Sequence, residues 1–272
     1  MKGRVFISIC IGLFTATLLS ACTQSNVDVN SDLKQYFDSN HVTGCFGMFD
    51  NAHGEFTIYN LPRYRDSAYL PASTFKIVNS LIGLQTGVIS NENMVIPWDS
   101  VVRSVPAWNK DLTMEQAFKL SAVPYYQEVA RRIGKDTMQQ WLDSLHYGTE
   151  KIKSRIDTFW LDNSLKIKSD EQLGLAKKLY FGQLPFDKRP QAIVKKIMLQ
   201  ENNSNYQLSY KTGWGYTENG NALGWVVGWI EENIHVYFFV LNIEGPHNTD
   251  PNVRMNILKG ILNHEGFMKG KK

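Results

Sequence analysis

Stretches of apolar residues alternate with polar ones, and their spacing differs along the chain. Two short runs near the N-terminus, Gly44–Phe49 and Glu55–Tyr59, have the length and composition of strands, and the turn-rich residues Asn51–Gly54 between them are typical of a hairpin. Near the C-terminus, residues rich in Val, Trp, Tyr and Phe predict three more strands at Tyr206–Thr212, Ala222–Ile230 and Ile234–Ile243. A turn at Glu231–Asn233 would join the last two strands.

The middle of the chain has helical periodicity instead. Apolar residues between Thr74 and Leu84 recur at helical spacing until Gly87 ends the pattern. The same criterion predicts helices at Asp32–Phe37, Met114–Leu120, Tyr125–Ile133, Thr137–Leu145, Glu171–Phe181, Gln191–Leu199 and Val253–His264. We therefore predict an α+β fold: a central antiparallel sheet of N- and C-terminal strands with flanking helices, and a mostly helical second lobe over about residues 90–200. A functional site is expected between the two lobes.

The first residues have the features of an export signal. Lys2 and Arg4 precede a short apolar run, Val5–Leu19, which is too short to span a membrane comfortably. Small residues then lead into Cys22, which resembles a bacterial lipobox. We predict a lipoprotein-type signal peptide at 1–21, lipidation of Cys22, a polar tether at 22–31 and a single domain at 32–272. The protein would then be periplasmic and anchored to a membrane; the alternative is ordinary cleavage near Ala21, which leaves Cys22 as a free thiol.

Composition argues against several classes of function. The net charge is +3, and without the two basic residues of the signal it is near +1, so no basic block supports nucleic-acid binding. No glycine-rich phosphate loop is present. The six histidines are scattered without metal-ligand spacing, so no metal site is expected. Of the three cysteines only Cys45 would remain free in a lipidated mature chain, so no intramolecular disulfide is expected.

One short motif, Ser73-x-x-Lys76, places a hydroxyl and an amine three residues apart at the start of a predicted helix. Positions i and i+3 share a helix face, so the two side chains can touch. The amine can act as the base for a serine nucleophile if burial keeps the lysine neutral at pH 7. The spacing alone is weak, because Ser31 and Lys34 repeat it in a polar stretch. In an isolated pair, a capping serine and a solvated lysine are the commoner case.

Distant motifs strengthen the hypothesis. Ser121 begins Ser-Ala-Val-Pro between two predicted helices, 48 positions after Ser73, and Lys211 begins Lys-Thr-Gly at a predicted strand end, 90 positions after Ser121. This order is the signature of penicillin-recognising serine enzymes. With Trp160 in Phe-Trp-Leu and Arg254 opening the last helix, the sequence resembles the class D (oxacillinase-type) β-lactamases over nearly the whole mature chain. The domain would then be transpeptidase-like.

The resemblance implies catalytic roles for four residues. Ser73 would attack the lactam carbonyl and form an acyl-enzyme. Lys76 would be carboxylated on its side-chain nitrogen by carbon dioxide and would serve as the general base; no other cofactor is implied. Ser121 would relay a proton to the leaving nitrogen, and Lys211 would hold a positive charge beside it.

The resemblance also implies two groups of binding residues. The pocket of the carboxylated lysine would be formed by Val123, Trp160 and Phe75. The substrate would be bound by Thr212, Gly213, Trp214, Arg254, Trp108 and Leu161. Among these, Thr212 and Arg254 would hold the substrate carboxylate, and the backbone N–H groups of Ser73 and Trp214 would form the oxyanion hole. The implied partner is a small-molecule β-lactam, such as a penicillin of the oxacillin type. The oligomeric state stays open between a monomer and a homodimer.

One motif departs from the family pattern, because Tyr147-Gly148-Thr149 stands where Tyr-Gly-Asn is usual. Threonine keeps a hydrogen-bonding group but is shorter and β-branched, so it could alter the loop that carries Trp160. Three alternatives to a lactamase stay open: a penicillin sensor domain that is acylated without turnover, a D,D-peptidase, and a non-catalytic lipoprotein in which all the motif residues would be relics. The single leader argues against a sensor on a multi-span membrane domain, and the apolar Val123 argues against a peptidase.

Overall fold

The structure, a computed structural model, describes residues 25–272. Its strands are β1 (Val27–Val29), β2 (Thr43–Asp50), β3 (Glu55–Tyr59), β4 (Ala68–Tyr69), β5 (Val95–Ile96), β6 (Leu112–Thr113), β7 (Ile167–Lys168), β8 (Leu199–Asn202), β9 (Gln207–Tyr216), β10 (Ala222–Glu232) and β11 (His235–Gly245). Its α-helices are α1 (Lys34–Asp38), α2 (Leu61–Asp66), α3 (Lys76–Gln85), α4 (Met114–Lys119), α5 (Val123–Ile133), α6 (Lys135–Leu145), α7 (Ser169–Tyr180), α8 (Lys188–Ile197) and α9 (Val253–His264). Short 3₁₀ helices lie at Ser31–Leu33, Ala72–Phe75 and Pro106–Trp108. The predicted signal peptide and Cys22 lie outside the described residues.

Seven strands form one sheet in the order β1-β3-β2-β11-β10-β9-β8. Every neighbouring pair in it is antiparallel except β1 and β3, which are parallel. The N-terminal and C-terminal strands meet where β2 pairs with β11, so segments from the two ends of the domain share one sheet. The predicted α+β fold class, with a mostly antiparallel central sheet, is confirmed.

Two hydrophobic layers cover the sheet, because successive residues of a strand face opposite sides. In β10, Trp225, Val227 and Trp229 belong to the core cluster on the side of α3 and α7, whereas Val226 and Ile230 belong to the cluster beneath α9. With both faces covered, β10 and β11 are buried along almost their whole length. Their nearly continuous apolar runs therefore follow from burial on two sides.

The helix that begins at Lys76 lies between the sheet and the helical lobe. Helix α3 contacts α5 and α8, while α7 contacts β10 and β11, and the 3₁₀ turn before α3 contacts β9. This position buries most of α3 and places its first turn at the junction of the two lobes. Over residues 25–272, no helix combines the length and the apolar character that a membrane crossing requires.

Several short elements lie outside the sequence predictions: β1, α2, β8 and the two-residue strands β4, β5, β6 and β7. Within the segment predicted as a polar tether, Val27–Val29 form β1 and pair in parallel with β3. The predicted helix that ended at Leu199 stops at Ile197, and Leu199 instead begins β8, which pairs with β9. Both strands are short and partly polar, so apolar periodicity does not identify them. Backbone pairing with a neighbouring strand holds them instead.

Smaller differences have local causes. Helix α5 begins at Val123, earlier than predicted, because Pro124 is tolerated in the first turn of a helix. The turn between β10 and β11 is centred on Asn233 and Ile234, which have φ values of 50° and 72°. Two successive positive φ values are what a two-residue hairpin turn requires. The β11 strand therefore starts at His235, where Glu232 is its partner.

Candidate active site

Ser73 and Lys76 lie on one helical turn at the junction of the lobes. Ser73 is inside the 3₁₀ turn Ala72–Phe75, and Lys76 opens α3. The Lys76 Nζ donates a 2.7 Å hydrogen bond to the Ser73 Oγ. Lys76 is fully buried, whereas Ser73 keeps 8% of its surface exposed. The hydroxyl and amine that the spacing relates are therefore in contact, and the hydroxyl is the member that solvent or a ligand can reach.

Burial changes the chemistry of Lys76. Desolvation lowers the pKa of Lys76 from 10.5 to about 7, because an ammonium group loses its hydration in an apolar pocket. The Tyr126 ring centroid lies 5.5 Å from the Lys76 Nζ, and the Tyr126 hydroxyl is hydrogen-bonded to Ser80 at 2.8 Å. A large share of Lys76 is then the neutral amine at pH 7, the form that can accept a proton. Sequence reasoning assigned Tyr126 no role, because a buried tyrosine looks like any other core residue.

A second hydroxyl–amine pair lies in the same site. Ser121 follows α4 with a positive φ of 54°, and Lys211 lies on β9. The Lys211 Nζ donates hydrogen bonds to the Ser121 Oγ and, at 3.0 Å, to the Thr212 carbonyl oxygen. Burial first, and then the positive charges of Lys76 and Arg254, lower the pKa of Lys211 well below 10.5. Lys76 and Arg254, from distant parts of the sequence, thus lie close enough to Lys211 to disfavour its charged form.

Strand β9 approaches the nucleophile turn closely because residue 213 is glycine. A Cβ atom at Gly213 would lie 2.9 Å from the Pro71 carbonyl oxygen and 3.2 Å from the Thr74 Cγ2. Any side chain there would push the strand away from Ser73 and would separate Lys211 from Ser121. Thr212 and Trp214 face the opposite side of the strand from Lys211, because side chains alternate.

Arg254 lies in the first turn of α9, and its guanidinium carbon is 5.2 Å from the centre of the Trp214 ring. Its Nε and Nη1 atoms are buried and have no hydrogen-bond partner within the described chain. Burial lowers the pKa of Arg254 to about 10, so the group is charged at neutral pH. Buried guanidinium donors without partners suit an anionic group of a ligand, since carboxylates accept a two-pronged bond from arginine.

Replacing Arg254 by lysine is expected to raise KM for a carboxylate-bearing β-lactam by about tenfold and to change kcat little. Lysine keeps the charge but loses the paired N–H donors of the guanidinium group. Steady-state kinetics on a penicillin would measure the effect. A β-lactam whose carboxylate is esterified is the matched control. The wild type and Arg254→Lys should have the same KM for this ester. An unchanged KM for the free acid would contradict this role.

Phe75 and Trp160 form one wall beside the nucleophile turn. Their rings stack with a centroid distance of 5.4 Å and an interplanar angle of 22°, and the Ala72 N–H donates to the Trp160 carbonyl at 3.0 Å. Trp160 is fully buried, yet its indole Nε1 has no hydrogen-bond partner among residues 25–272. A buried N–H without a partner costs about 1–3 kcal/mol. An acceptor placed at this wall would remove that cost.

The remaining predicted residues are less buried than Lys76 and Trp160. Val123 is half-buried in the first turn of α5, directly after the Ser121 turn. Trp108 and Leu161 are half-buried and pack against the main core, and the Trp108 indole N–H donates to the Leu120 carbonyl at 3.0 Å. A cavity of about 280 Å³ beside Trp108 is lined by residues of the 96–112 segment and α5, and its lining includes none of the four catalytic candidates.

Thr149 performs a structural task at the corner where the family usually has asparagine. Its backbone N–H donates to the Lys166 carbonyl at 2.8 Å, and its Oγ1 accepts a bond from the Lys166 N–H at 3.1 Å. Gly148 has a φ of 53°, and a Cβ there would lie 2.0 Å from the Lys166 carbonyl oxygen. Thr149 therefore joins the start of the loop that carries Trp160 to its end at Lys166.

The same loop is tied to the end of β9 by contacts that the sequence did not indicate. The Lys166 Nζ forms a 2.6 Å ion pair with Glu218, and the Asn163 side chain donates to the Tyr216 carbonyl at 3.0 Å. These contacts join two segments that are distant in sequence, so no local sequence pattern predicts either contact.

A domain with this sheet, this helical lobe and a buried Ser-x-x-Lys pair is a penicillin-binding protein transpeptidase domain, and the model of that family matches residues 31–263. The beta-lactamase OXA-19 of Pseudomonas aeruginosa is 35% identical over 260 residues, which cover 95% of this chain and 97% of that protein.

Two solved structures are similar to this chain, a class D β-lactamase and a penicillin-receptor domain. The class D beta-lactamase FUS-1 (OXA-85) of Fusobacterium nucleatum has a TM-score of 0.84 and 34% identity, covering 89% of this chain and 100% of that one. The C-terminal domain of the Bacillus licheniformis BlaR penicillin-receptor has a TM-score of 0.83 and 30% identity, covering 88% and 96%. The chain belongs to the penicillin-binding protein transpeptidase family and, within it, to the class D β-lactamases, which confirms the resemblance carried by the motifs.

Proposed function

We propose that this class D enzyme hydrolyses β-lactams, including penicillins of the oxacillin type, through an acyl-enzyme on Ser73. The observation that carries the proposal is the buried Lys76 amine, which is hydrogen-bonded to the Ser73 hydroxyl and whose pKa is lowered to about 7. A neutral amine beside a serine is the arrangement that activates the hydroxyl. Within this family the arrangement favours acyl transfer from a lactam.

The residues of the site divide the reaction between them. Ser73 would give its hydroxyl proton to the base on Lys76 and its Oγ would bond to the lactam carbonyl carbon, while the backbone N–H groups of Ser73 and Trp214 would stabilise the oxyanion. The ring C–N bond then breaks, and Ser121 would pass a proton to the departing nitrogen. Lys211 is disfavoured as a cation in the free site; a bound carboxylate would favour its charged form. A water molecule would finally release the acyl group from Ser73.

Two buried side chains with unsatisfied N–H donors, Trp160 and Arg254, support binding of a carboxyl group on Lys76 and of a substrate carboxylate. The Trp160 indole N–H, with Phe75 and Val123, would hold a carboxyl group on Lys76, and the guanidinium of Arg254 would hold the substrate carboxylate with Thr212. Carbon dioxide bound to the neutral Lys76 amine would supply a carboxylate base for both acylation and deacylation. Trp108 and Leu161 would line the entrance.

A time course with a chromogenic cephalosporin tests the function. Repeated turnover supports the lactamase. A single stoichiometric burst would support the sensor alternative, which stays relevant because a penicillin-receptor domain is among the similar structures. No reaction at all would sink the proposal and leave the peptidase and a non-catalytic lipoprotein.

The activity of the free enzyme is expected to fall as the pH drops through about 7. Protonation of the buried Lys76 removes the neutral amine, and the pKa of that amine is lowered to about 7. Values of kcat/KM between about pH 5 and pH 9 would give this acid limb. A profile that stays flat from about pH 9 down to about pH 5 would contradict the assignment, because it would indicate a titrating base with the pKa of an ordinary carboxyl group.

We also propose that the protein is a periplasmic lipoprotein anchored through Cys22. The short apolar run and the small residues before Cys22 support this. Metabolic labelling with an alkyne fatty acid should label the wild type, and Cys22→Ser should abolish the label. A labelled Cys22→Ser protein would contradict the anchor.

A further inference from the structure

A glutamine outside the motifs of the site is bonded to the nucleophile turn. Gln172 lies on α7, is fully buried, and donates from its Nε2 to the Thr74 Oγ1 at 2.7 Å. The Thr74 hydroxyl in turn donates to the Pro71 carbonyl at 2.7 Å. These two bonds link α7 to both sides of Ser73, because Pro71 and Thr74 flank the nucleophile.

The Gln172 amide determines the direction in which the Thr74 hydroxyl donates its proton. A threonine hydroxyl has one proton to donate and lone pairs that accept. When the Gln172 N–H occupies the acceptor side of the Thr74 oxygen, the hydroxyl proton is left to point at the Pro71 carbonyl. Without that donor the hydroxyl can rotate, and the turn keeps only the backbone bond from the Thr74 N–H to the Pro71 carbonyl at 3.2 Å.

The turn needs such restraint, because its backbone is strained. Ala72, directly before Ser73, has a φ of 49°, in the left-handed region that a residue with a Cβ adopts at a cost. Such a conformation persists only when its surroundings hold it. Other restraints include the backbone bond from the Thr74 N–H to the Pro71 carbonyl at 3.2 Å, the bond from the Ala72 N–H to the Trp160 carbonyl, and the close approach of Gly213 to Pro71.

Packing alone does not explain a glutamine at this position. Its Oε1 is buried and has no hydrogen-bond partner among the described residues. An unsatisfied buried oxygen destabilises the fold relative to an apolar side chain of similar shape. The neighbouring residues Leu173, Ala176 and Leu179 already anchor α7 in the core. The amide therefore costs stability, and what it provides is the bond to Thr74.

We propose that Gln172 is a positioning residue for Ser73, acting through the Thr74 hydroxyl to hold the nucleophile in line with Lys76. This inference rests on the proposed acylation of Ser73. It concerns the rate at which the serine is acylated and assigns Gln172 no contact with substrate.

The test compares Gln172→Met with Thr74→Val and with the double variant. Acylation by a fluorescent penicillin is followed by stopped flow, and rates are normalised to the folded fraction from thermal melts. Each single variant is expected to acylate on the order of tenfold more slowly. The double variant should be no slower than Thr74→Val, because both changes remove one link.

Gln191→Met is the matched control. Gln191 is also a buried glutamine, but its amide bonds only to backbone groups of Leu184 and Phe186. It should lower the melting temperature and leave the normalised acylation rate unchanged. The proposal is overturned if Gln172→Met or Thr74→Val acylates at the wild-type rate, or if the losses of the two variants multiply. If the wild type itself is not acylated, the proposed function fails instead, so the two failures are distinguishable.

Discussion

Replacing Lys76 by alanine is expected to lower the turnover of a β-lactam by about a thousandfold and to leave Ser73 acylated. The variant loses the buried amine that bonds to the Ser73 Oγ at 2.7 Å, and with it the group that the proposed mechanism uses as the base for deacylation. Ser121 and Lys211 remain, so departure of the lactam nitrogen is impaired less than attack by water. Steady-state kinetics would give the loss, and intact-protein mass spectrometry would detect the acyl-enzyme as a persistent adduct.

The chain contains a matched control for this variant. Lys34 follows Ser31 at the same spacing, but its side chain is 60% exposed and forms an ion pair with Asp38. Lys34→Ala should therefore keep wild-type activity, since surface ion pairs contribute little. A Lys76→Ala protein with full turnover, or one that deacylates as fast as the wild type, would falsify the assignment of the base.

Replacing Trp160 by phenylalanine is expected to lower activity by about 10- to 100-fold at ambient carbon dioxide and to make the remaining activity depend strongly on bicarbonate. Phenylalanine keeps an aromatic ring against Phe75 but removes the buried N–H, and a hydrogen bond to a charged group contributes about 1.5–3 kcal/mol. A carboxyl group on Lys76 would then be held less tightly, and mass action would restore it at high bicarbonate.

A bicarbonate titration of both proteins measures this effect, with ¹³C-labelled bicarbonate and NMR as an independent observation of the modified lysine. Trp229→Phe is the control, because Trp229 is another fully buried tryptophan whose Nε1 lacks a partner in the described chain, and it packs against Tyr180 instead of Phe75. It should not alter the bicarbonate response. Activity that is indifferent to bicarbonate in wild type and Trp160→Phe alike would count against the carboxylated lysine.

The strongly patterned elements were predictable from the sequence because burial on the sheet determines their composition. Helix α9 has the predicted bounds Val253–His264, and β10 and β11 differ from prediction only at their ends. By contrast, β1 and β8 have three and four residues with exposed positions. Their conformation depends on backbone bonds to a neighbouring strand, which no local pattern records.

Some features of the candidate site were likewise predictable from the sequence, and others depend on the tertiary structure. The sequence alone determined the order of the motifs, the family they indicate, and the helical spacing that lets Ser73 touch Lys76. Only the tertiary structure decided that Lys211 reaches Ser121 across 90 residues, that Trp160 is bonded to the backbone before Ser73, and that Gln172 bonds to Thr74.

The two Ser-x-x-Lys pairs show why the tertiary structure, and not the spacing, decides the chemistry of the lysine. Ser31 with Lys34 and Ser73 with Lys76 have the same spacing, and the sequence gives both lysines the same intrinsic chemistry. The fold leaves Lys34 in solvent beside Asp38, and it buries Lys76 completely, which lowers the pKa of Lys76 to about 7. The cost of removing a charge from water, which depends on residues far away in the chain, lets one of the two lysines be neutral near pH 7.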